Sequence, residues 1–371
     1  MIKSIAKNEI KVDITVKKIK IGAVNWDASL PPESYFGFYQ INSLSQAKYR
    51  EWTPFYADLI DEERITYHAR TPEEYEAEMR YAIAAGIDYF AFVWYPTQGS
   101  LAHVQTSFSD CSHRVHELNY ARHLYRRSNL KTSLGMCAIL ADHPFTEGDL
   151  RELVEEFRQP YYEKINGRPL LYVYSGYRED IIRQIRALAS ELRTEMPFVV
   201  PLIEGTQDPQ MPLADAVSRY AVCVGNVESY AALTEAAIEE NRARLTYRKP
   251  LIPTFTVGWN PSPRMERLTP WTTLDSGVSR YRSAPYAPPA SVEELSAGAE
   301  RFSEFLSEIA SEASLGHVLT FAWNEFEEGG YLCPTYTKSG AINTERVEVF
   351  SRIAARFKEA LGERESCQKN S

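Results

Sequence analysis

Three glutamates lie within four positions of each other in the segment GHVLTFAWNEFEEGG, which spans residues 316–330. Glycoside hydrolysis needs two carboxyl groups in different protonation states, a neutral one that protonates the leaving oxygen and an ionised one that acts as base or nucleophile. We therefore expect Glu325 and Glu328 to be the catalytic pair if the chain turns after Phe326. Glu327 is expected to point elsewhere and be solvated. An acidic exposed loop is the alternative that the spacing leaves open.

The residues before these acids form a continuous apolar run without Pro or Gly, made of Val318, Leu319, Phe321, Ala322 and Trp323. Such a run is typical of a strand that is covered on both faces, as in a parallel sheet. The acids would then lie where this strand ends.

Apolar runs of strand length recur along the chain and alternate with amphipathic helix patterns. Eight runs are found, beginning at Ile21, Ile87, Thr132, Pro169, Phe198, Ala221, Leu251 and His317. This alternation predicts an α/β fold, a (β/α)8 TIM barrel, and 371 residues fit one such domain. We expect the barrel to span residues 21–362, after an N-terminal extension (1–20) and before a disordered tail (363–371).

Active sites of such barrels lie where the strands end and the following loops begin. Two of these loops, 27–70 and 260–290, are unusually long, which indicates a functional role. Aromatic faces pack on the C–H faces of a sugar ring, and polar side chains bind its hydroxyls. Core packing is the alternative for rings such as Trp94. The predicted substrate-binding residues are Trp26, Asp27, Trp94, Tyr95, Glu204, Glu228, Trp259, Asn260, Arg264, Trp323, Asn324, Phe326 and Tyr331.

The charge and the cysteine and histidine content of the chain limit which partners and cofactors are expected. The net charge of -9 argues against nucleic acid or an anionic membrane surface, since both require a concentrated basic surface. Five cysteines without CxxC spacing, and His113 and His116 without a matching ligand, predict neither a metal site nor another cofactor. The first twenty residues carry charges throughout, without the apolar region of a secretion signal, so we expect a cytoplasmic protein that does not span a membrane.

At the last strand, WNEFEEG followed by YLCP resembles the WNEWxEGxxLEP signature of WbsX-like proteins, which are similar to glycoside hydrolase family 99, the endo-α-mannosidases. Three further segments resemble that family in the same order along the chain: GIDYFAFVWYP, PYYEKINGRPLLYVY and PTFTVGWNPSPR. Phe326 stands where the signature has Trp, Cys333 where it has Glu, and Asn260 where the seventh-strand segment commonly has Asp. A sugar contact is therefore expected to differ.

The resemblance implies a (β/α)8 fold and a retaining glycosidase that acts on an oligo- or polysaccharide. In the family's mechanism, the first motif glutamate takes a proton from the sugar 2-hydroxyl, which attacks C1 and gives an anhydro-sugar intermediate. The second serves as acid and then as base. By motif position, these roles fall on Glu325 and Glu328.

Two other functions stay open. WbsX-like proteins have also been described as glycosyltransferases of surface-polysaccharide synthesis, but the sequence shows neither a Gly-rich phosphate loop nor a DxD-type metal pair near a strand end. A non-catalytic glycan-binding barrel is the second alternative. Three acids in one motif favour chemistry over adhesion.

Overall fold

The computed structural model describes residues 19–97, 109–204, 210–271, 285–310, 313 and 315–362. The predicted tail and residues 1–18 of the predicted extension lie outside these ranges. None of the helices within them is long and apolar enough to cross a membrane.

Strands and helices alternate through the described residues. The strands are β1 (Lys20–Asn25), β2 (Asp58–Leu59), β3 (Ile65–Thr66), β4 (Tyr89–Trp94), β5 (Gly135–Leu140), β6 (Lys164–Ile165), β7 (Arg168–Val173), β8 (Phe198–Pro201), β9 (Thr254–Thr256), β10 (His317–Phe321), β11 (Asn324–Glu325), β12 (Gly330–Tyr331), β13 (Thr335–Tyr336) and β14 (Ile342–Asn343). The helices are α1 (Tyr35–Leu44), α2 (Pro72–Ala84), α3 (Tyr120–Arg127), α4 (Glu147–Glu156), α5 (Glu179–Glu191), α6 (Tyr230–Arg244), α7 (Ser262–Glu266), α8 (Val292–Glu308) and α9 (Glu345–Gly362).

The central sheet is parallel apart from the short strand β6, and it closes on itself. Strand β1 pairs with β10 on one side and with β4 on the other, and the order continues through β5 and β7 to β8. On the other side, β10 pairs with β9. Val217 and Ser218 fill the place between β8 and β9, because Ser218 N donates to Pro201 O at 3.1 Å and Val217 N donates to Pro250 O at 3.0 Å. The predicted (β/α)8 barrel is confirmed.

Seven of the eight predicted runs coincide with barrel strands, and the sixth was misplaced. The run that begins at Ala221 lies beyond the two residues that pair in the sheet, Val217 and Ser218. Ala221 and Val222 are buried, although they follow the strand and belong to a loop. Apolar periodicity reports burial, and a loop packed over the end of a barrel is buried as well as a strand.

Alternation along β4 decides which side chains enter the barrel. Tyr89 points inward, because its hydroxyl lies 3.1 Å from that of Tyr172 on β7, a strand that is not its neighbour. A Cβ at Gly22 would come within 2.2 Å of the Tyr89 ring, so this position on β1 requires glycine. Phe92 points outward and meets Tyr125 of α3 at 5.5 Å. Side chains two residues apart on a strand share a face.

Side-chain hydrogen bonds fix the starts of two helices. Thr71 and Glu74 form a reciprocal capping box at the start of α2, and Ser291 and Glu294 do the same for α8. Both boxes satisfy backbone N–H groups that have no partner within the helix. The helices then pack their apolar stripes on the outside of the barrel and leave the ends of the strands to form the site.

Candidate active site

The acidic motif folds as a tight hairpin directly after β10. Strand β11 pairs with β12, and residues 326–328 between them form a single 3-10 turn that ends at Gly329 with φ 67°. A Cβ on Gly258 would lie 2.1 Å from the carbonyl oxygen of Gly329, so the segment after β9 packs backbone to backbone against this turn. Asn260 N donates to Glu328 O at 2.6 Å. The turn is therefore fixed against the neighbouring loop.

Arg264 of α7 joins all three glutamates. Its Nε lies 3.2 Å from Glu327 Oε1, its Nη1 contacts Glu328 Oε1, and its Nη2 lies 3.5 Å from Glu325 Oε2. All four residues are at most 5% exposed. The structure thus brings the two predicted catalytic acids together around one guanidinium.

The expectation that Glu327 is solvated was wrong. Its side chain is fully buried, and its Oε1 accepts from Ser43 Oγ of α1 at 3.4 Å as well as from Arg264 Nε. A carboxylate is buried when a cation and hydrogen-bond donors replace water. The sequence did not reveal that Arg264 and Ser43 lie beside this turn.

Two tryptophans cover the guanidinium. The Arg264 Cζ atom lies 5.1 Å from the Trp26 ring centre and 6.0 Å from that of Trp271, and the two rings meet edge to face at 5.8 Å. Trp26 Nε1 donates to Tyr95 Oη at 3.2 Å. Cation–π contacts of this kind hold the guanidinium in place and exclude water from it. Trp26 and Tyr95 therefore lie beside the three glutamates.

Asn324 connects the hairpin to the end of β1. Its Oδ1 accepts from Trp26 N at 2.8 Å, and its Nδ2 donates to Trp26 O at 2.9 Å. The side-chain amide thus imitates a strand partner for Trp26. Asn324 thus holds Trp26 in place. The side-chain amide of Asn324 was expected to bind sugar, but both its oxygen and its nitrogen bond to Trp26.

Tyr220 is a site residue that the sequence did not reveal. Its hydroxyl donates to Glu325 Oε1 at 2.7 Å. Its ring packs against Tyr174 at 4.9 Å and against Phe321 at 5.5 Å, and Trp259 meets Phe321 at 6.0 Å. Tyr220 comes two residues after Ser218. Correct placement of the sixth strand would have included it among the residues at the strand ends.

Burial and charge change the acidity of Glu325. Burial raises the pKa of Glu325 to about 8, and the neighbouring Glu328 carboxylate raises it as well, while Arg264 and the Tyr220 hydroxyl act in the opposite direction. Three buried carboxyl groups share one guanidinium in direct contact. Like charges at such separation do not all ionise, so the cluster keeps a proton at neutral pH.

Trp94 and Trp323 lie on the outer face of the barrel, so their assignment to the substrate site was wrong. Arg122 of α3 stacks on the Trp94 ring at 3.4 Å. Trp323 Nε1 donates to Glu78 Oε1 of α2 at 2.8 Å, and its ring packs on Phe90. Trp94 shares the strand face of Phe92, and the strand that leads to Trp323 ends at Phe321. The core-packing alternative therefore holds for these two rings.

Asp27 belongs to a buried ion cluster beside the site. Arg70 lies 2.9 Å from Asp27 Oδ1 and 2.5 Å from Glu78 Oε2, and Ala121 N donates to Asp27 Oδ2. Burial raises the pKa of both carboxyl groups. Both oxygens of Asp27 have protein partners, so it joins three segments of the barrel end.

The three residues that depart from the signature, Phe326, Cys333 and Asn260, are packed or hydrogen-bonded within the protein. Phe326 and Tyr331 pack on each other at 5.6 Å, and Tyr331 Oη donates to Glu51 O at 3.2 Å. Asn260 Oδ1 accepts from Ser262 Oγ at 2.6 Å, and its Nδ2 donates to a backbone oxygen. Burial raises the pKa of Cys333 well above its usual value, so it carries no charge.

Two further acids were placed by the predicted strands. Glu204 lies half-buried just after β8, at the expected end of the barrel. Glu228 is exposed and lies just before α6 begins. It comes ten residues after Ser218, the last residue that pairs in the sixth barrel strand. Its assignment depended on the misplaced sixth strand, and its place in the substrate site stays a prediction. Among the described residues, no cluster of three or more His, Cys, Asp or Glu side chains has an arrangement that would hold a metal ion.

Comparison with solved structures bears on the fold. The structure of the family 99 endo-α-mannosidase from Bacteroides thetaiotaomicron in complex with bis-tris propane superposes with a TM-score of 0.50 at 13% identity, over 92% of this chain and 98% of the other. A second structure of that enzyme gives 0.50 at 12% identity with the same coverage. This chain shares their barrel fold. The fold that the sequence resemblance implied is thereby confirmed. Neither a family model nor a curated protein matches the sequence.

Proposed function

We propose that the protein is a retaining glycoside hydrolase that cleaves an oligo- or polysaccharide, with Glu325 and Glu328 as its catalytic residues. The observation that carries the proposal is the pair itself: two buried carboxyl groups at the end of the last barrel strand, bridged by Arg264. A pair of this kind is what acid–base cleavage of a glycosidic bond requires.

The protons of the pair fit two roles. The two interacting carboxyl groups share one proton below about pH 8, which Glu325 holds in the free protein. The reactive form is the one in which that proton lies on Glu328, the acid that protonates the leaving oxygen, while Glu325 is the ionised base that accepts the proton of the sugar 2-hydroxyl. A pKa of about 8 makes the Glu325 carboxylate a stronger base than an ordinary glutamate, and a catalytic group works best when its pKa is near the working pH. Tyr220 holds Glu325 Oε1 in one orientation.

Retention of configuration follows from the proposed chemistry. The sugar 2-hydroxyl attacks C1 from the face opposite the leaving group, and water then opens the anhydro-sugar in a second displacement, so the two inversions restore the starting configuration. Released sugar of unchanged anomeric configuration, followed by NMR during hydrolysis, would support this part of the proposal.

A mannose-containing glycan is the first substrate to test, because the similar structure is that of an endo-α-mannosidase. The purified protein would be incubated with α- and β-mannans, other neutral polysaccharides and matching aryl glycosides. Glu328→Gln serves as the inactive variant, and Glu62→Gln, which replaces an exposed glutamate, serves as the matched control. Equal hydrolysis by wild type and Glu328→Gln would contradict the assignment of the acid.

The same panel separates the alternatives. Release of nucleotide from sugar nucleotides, without hydrolysis of any glycan, would instead indicate a glycosyltransferase. Binding of a glycan that persists without turnover by the wild type would indicate a binding protein. Hydrolysis that depends on both Glu325 and Glu328 is the outcome that we expect.

A further inference from the structure

We infer that Glu327 is a positioning residue that holds the guanidinium of Arg264 between Glu325 and Glu328. This inference rests on the proposed function, because it concerns the pair that the proposal makes catalytic. Glu327 occupies the unspecified position of the WNEWxEGxxLEP signature, so the sequence similarity assigns it no role.

The contacts of Arg264 distinguish Glu327 from Glu325 and Glu328. Nε, the nitrogen nearest the side-chain stem, faces Glu327, whereas the two terminal nitrogens face Glu328 and Glu325. A planar guanidinium that is fixed at Nε has both terminal nitrogens fixed in direction. The rings of Trp26 and Trp271 restrict it further.

Glu327 itself does not reach a substrate. Its side chain has no exposed surface, and its second oxygen, Oε2, has no hydrogen-bond partner among the described residues. The groups that face it come from several elements: Ser43 of α1, Arg264 of α7 and Tyr67 after β3, whose pKa it raises. A buried carboxylate at this place acts on the chemistry only through its neighbours.

The charge of Glu327 has a definite effect on the pair. It offsets part of the positive charge of Arg264, and it adds a negative charge near Glu325, whose pKa it raises. Without that charge, the full guanidinium charge would act on Glu325 and Glu328 and favour their ionised forms. The pair would then lose its last proton at a lower pH.

Titration of the glutamate carboxyls tests the inference without a substrate. Protein labelled with 13C at the glutamate carboxyl carbon would be titrated by NMR, and the Glu325 signal would be identified by its loss in Glu325→Gln. In Glu327→Gln, the pKa of Glu325 is expected to fall by between about half a unit and one unit. The exposed replacement Glu62→Gln is expected to leave it unchanged.

Activity provides the second readout. Once a substrate is in hand, the high-pH limb of the kcat/KM profile of Glu327→Gln should move down by the same amount. A residue that only filled space would lower kcat without moving that limb. An unchanged or increased Glu325 pKa in Glu327→Gln would overturn the inference.

A second variant covers the case in which Glu327→Gln does not fold. Glu327→Asp keeps the charge but shortens the side chain, so its carboxyl withdraws from Nε and a smaller fall of the Glu325 pKa is expected. An unchanged pKa in a folded Glu327→Asp would also overturn the inference. If the wild type hydrolyses no glycan, the proposed function fails while the titration still reports on Glu327.

Discussion

Replacement of Glu325 by glutamine should make the protein more stable at high pH. In the wild type, burial and the Glu328 carboxylate raise the pKa of Glu325 to about 8 from an ordinary value of 4.5. The folded state therefore binds a proton between these pH values that the unfolded state has released. This contribution to stability is fully present below pH 4.5 and is lost as the pH rises through about 8.

The magnitude follows from the two pKa values. Each pKa unit corresponds to 1.36 kcal/mol, so ionisation of Glu325 costs the folded state up to about 5 kcal/mol at high pH. Glutamine is nearly isosteric with the neutral acid, stays uncharged, and its carbonyl oxygen still accepts from Tyr220. The variant avoids this cost. Rearrangement around Arg264 reduces the difference that is observed, so several kcal/mol is expected.

Urea unfolding at pH 5 and pH 9 measures this difference. At pH 5 the wild type and Glu325→Gln should have similar free energies of unfolding, and at pH 9 the variant should exceed the wild type. Glu62→Gln, at an exposed glutamate, should match the wild type at both values. A Glu325→Gln variant that is equally or less stable than the wild type at pH 9 would refute the reasoning that the buried pair keeps a proton.

Further predictions concern residues around the pair. Arg264→Gln should lower the free energy of unfolding in urea by about 3–5 kcal/mol, because it leaves buried carboxylates without their cation. Tyr220→Phe should raise the pKa of Glu325 in a 13C carboxyl titration, since it removes a hydrogen bond to the ionised form. Glu328→Gln should lose at least about 100-fold in rate on glycans but still release fluoride from glycosyl fluorides in the first step, which needs no proton on the leaving group. Arg122→Met should leave stability unchanged or raise it by about 1–4 kcal/mol in urea, because among the described residues none of the three buried guanidinium nitrogens of Arg122 has a hydrogen-bond partner and its ion pair with Glu152 spans 3.7 Å.

Local patterns were sufficient to predict the barrel. The runs from Ile21 to His317 carry the apolar content of strands buried on both faces, and capping boxes such as Thr71 with Glu74 mark the helix starts. Both signals depend on residues close in sequence. The acids after the last run could be assigned to a strand end for the same reason.

The contacts across the barrel end could not be predicted in this way. Arg264 and Glu327 are 63 positions apart, and nothing local to Glu327 shows that a guanidinium lies beside it. Trp94 and Trp323 were assigned to the site because they follow strands, but the direction of a side chain depends on strand parity and on where the strand ends. Tyr220 was missed because Val217 and Ser218 form too short a pairing to leave a periodic pattern.

The central claim is that Glu325 and Glu328 act on the same anomeric carbon. A crystal structure of the protein with a bound iminosugar, whose ring nitrogen takes the place of atoms at the reacting centre, tests it directly. The account predicts a sugar ring at the end of β10, with its nitrogen within hydrogen-bond distance of Glu325 or Glu328 and with Trp26 nearby. A ring bound at the opposite end of the barrel, or one that contacts neither acid, would contradict it.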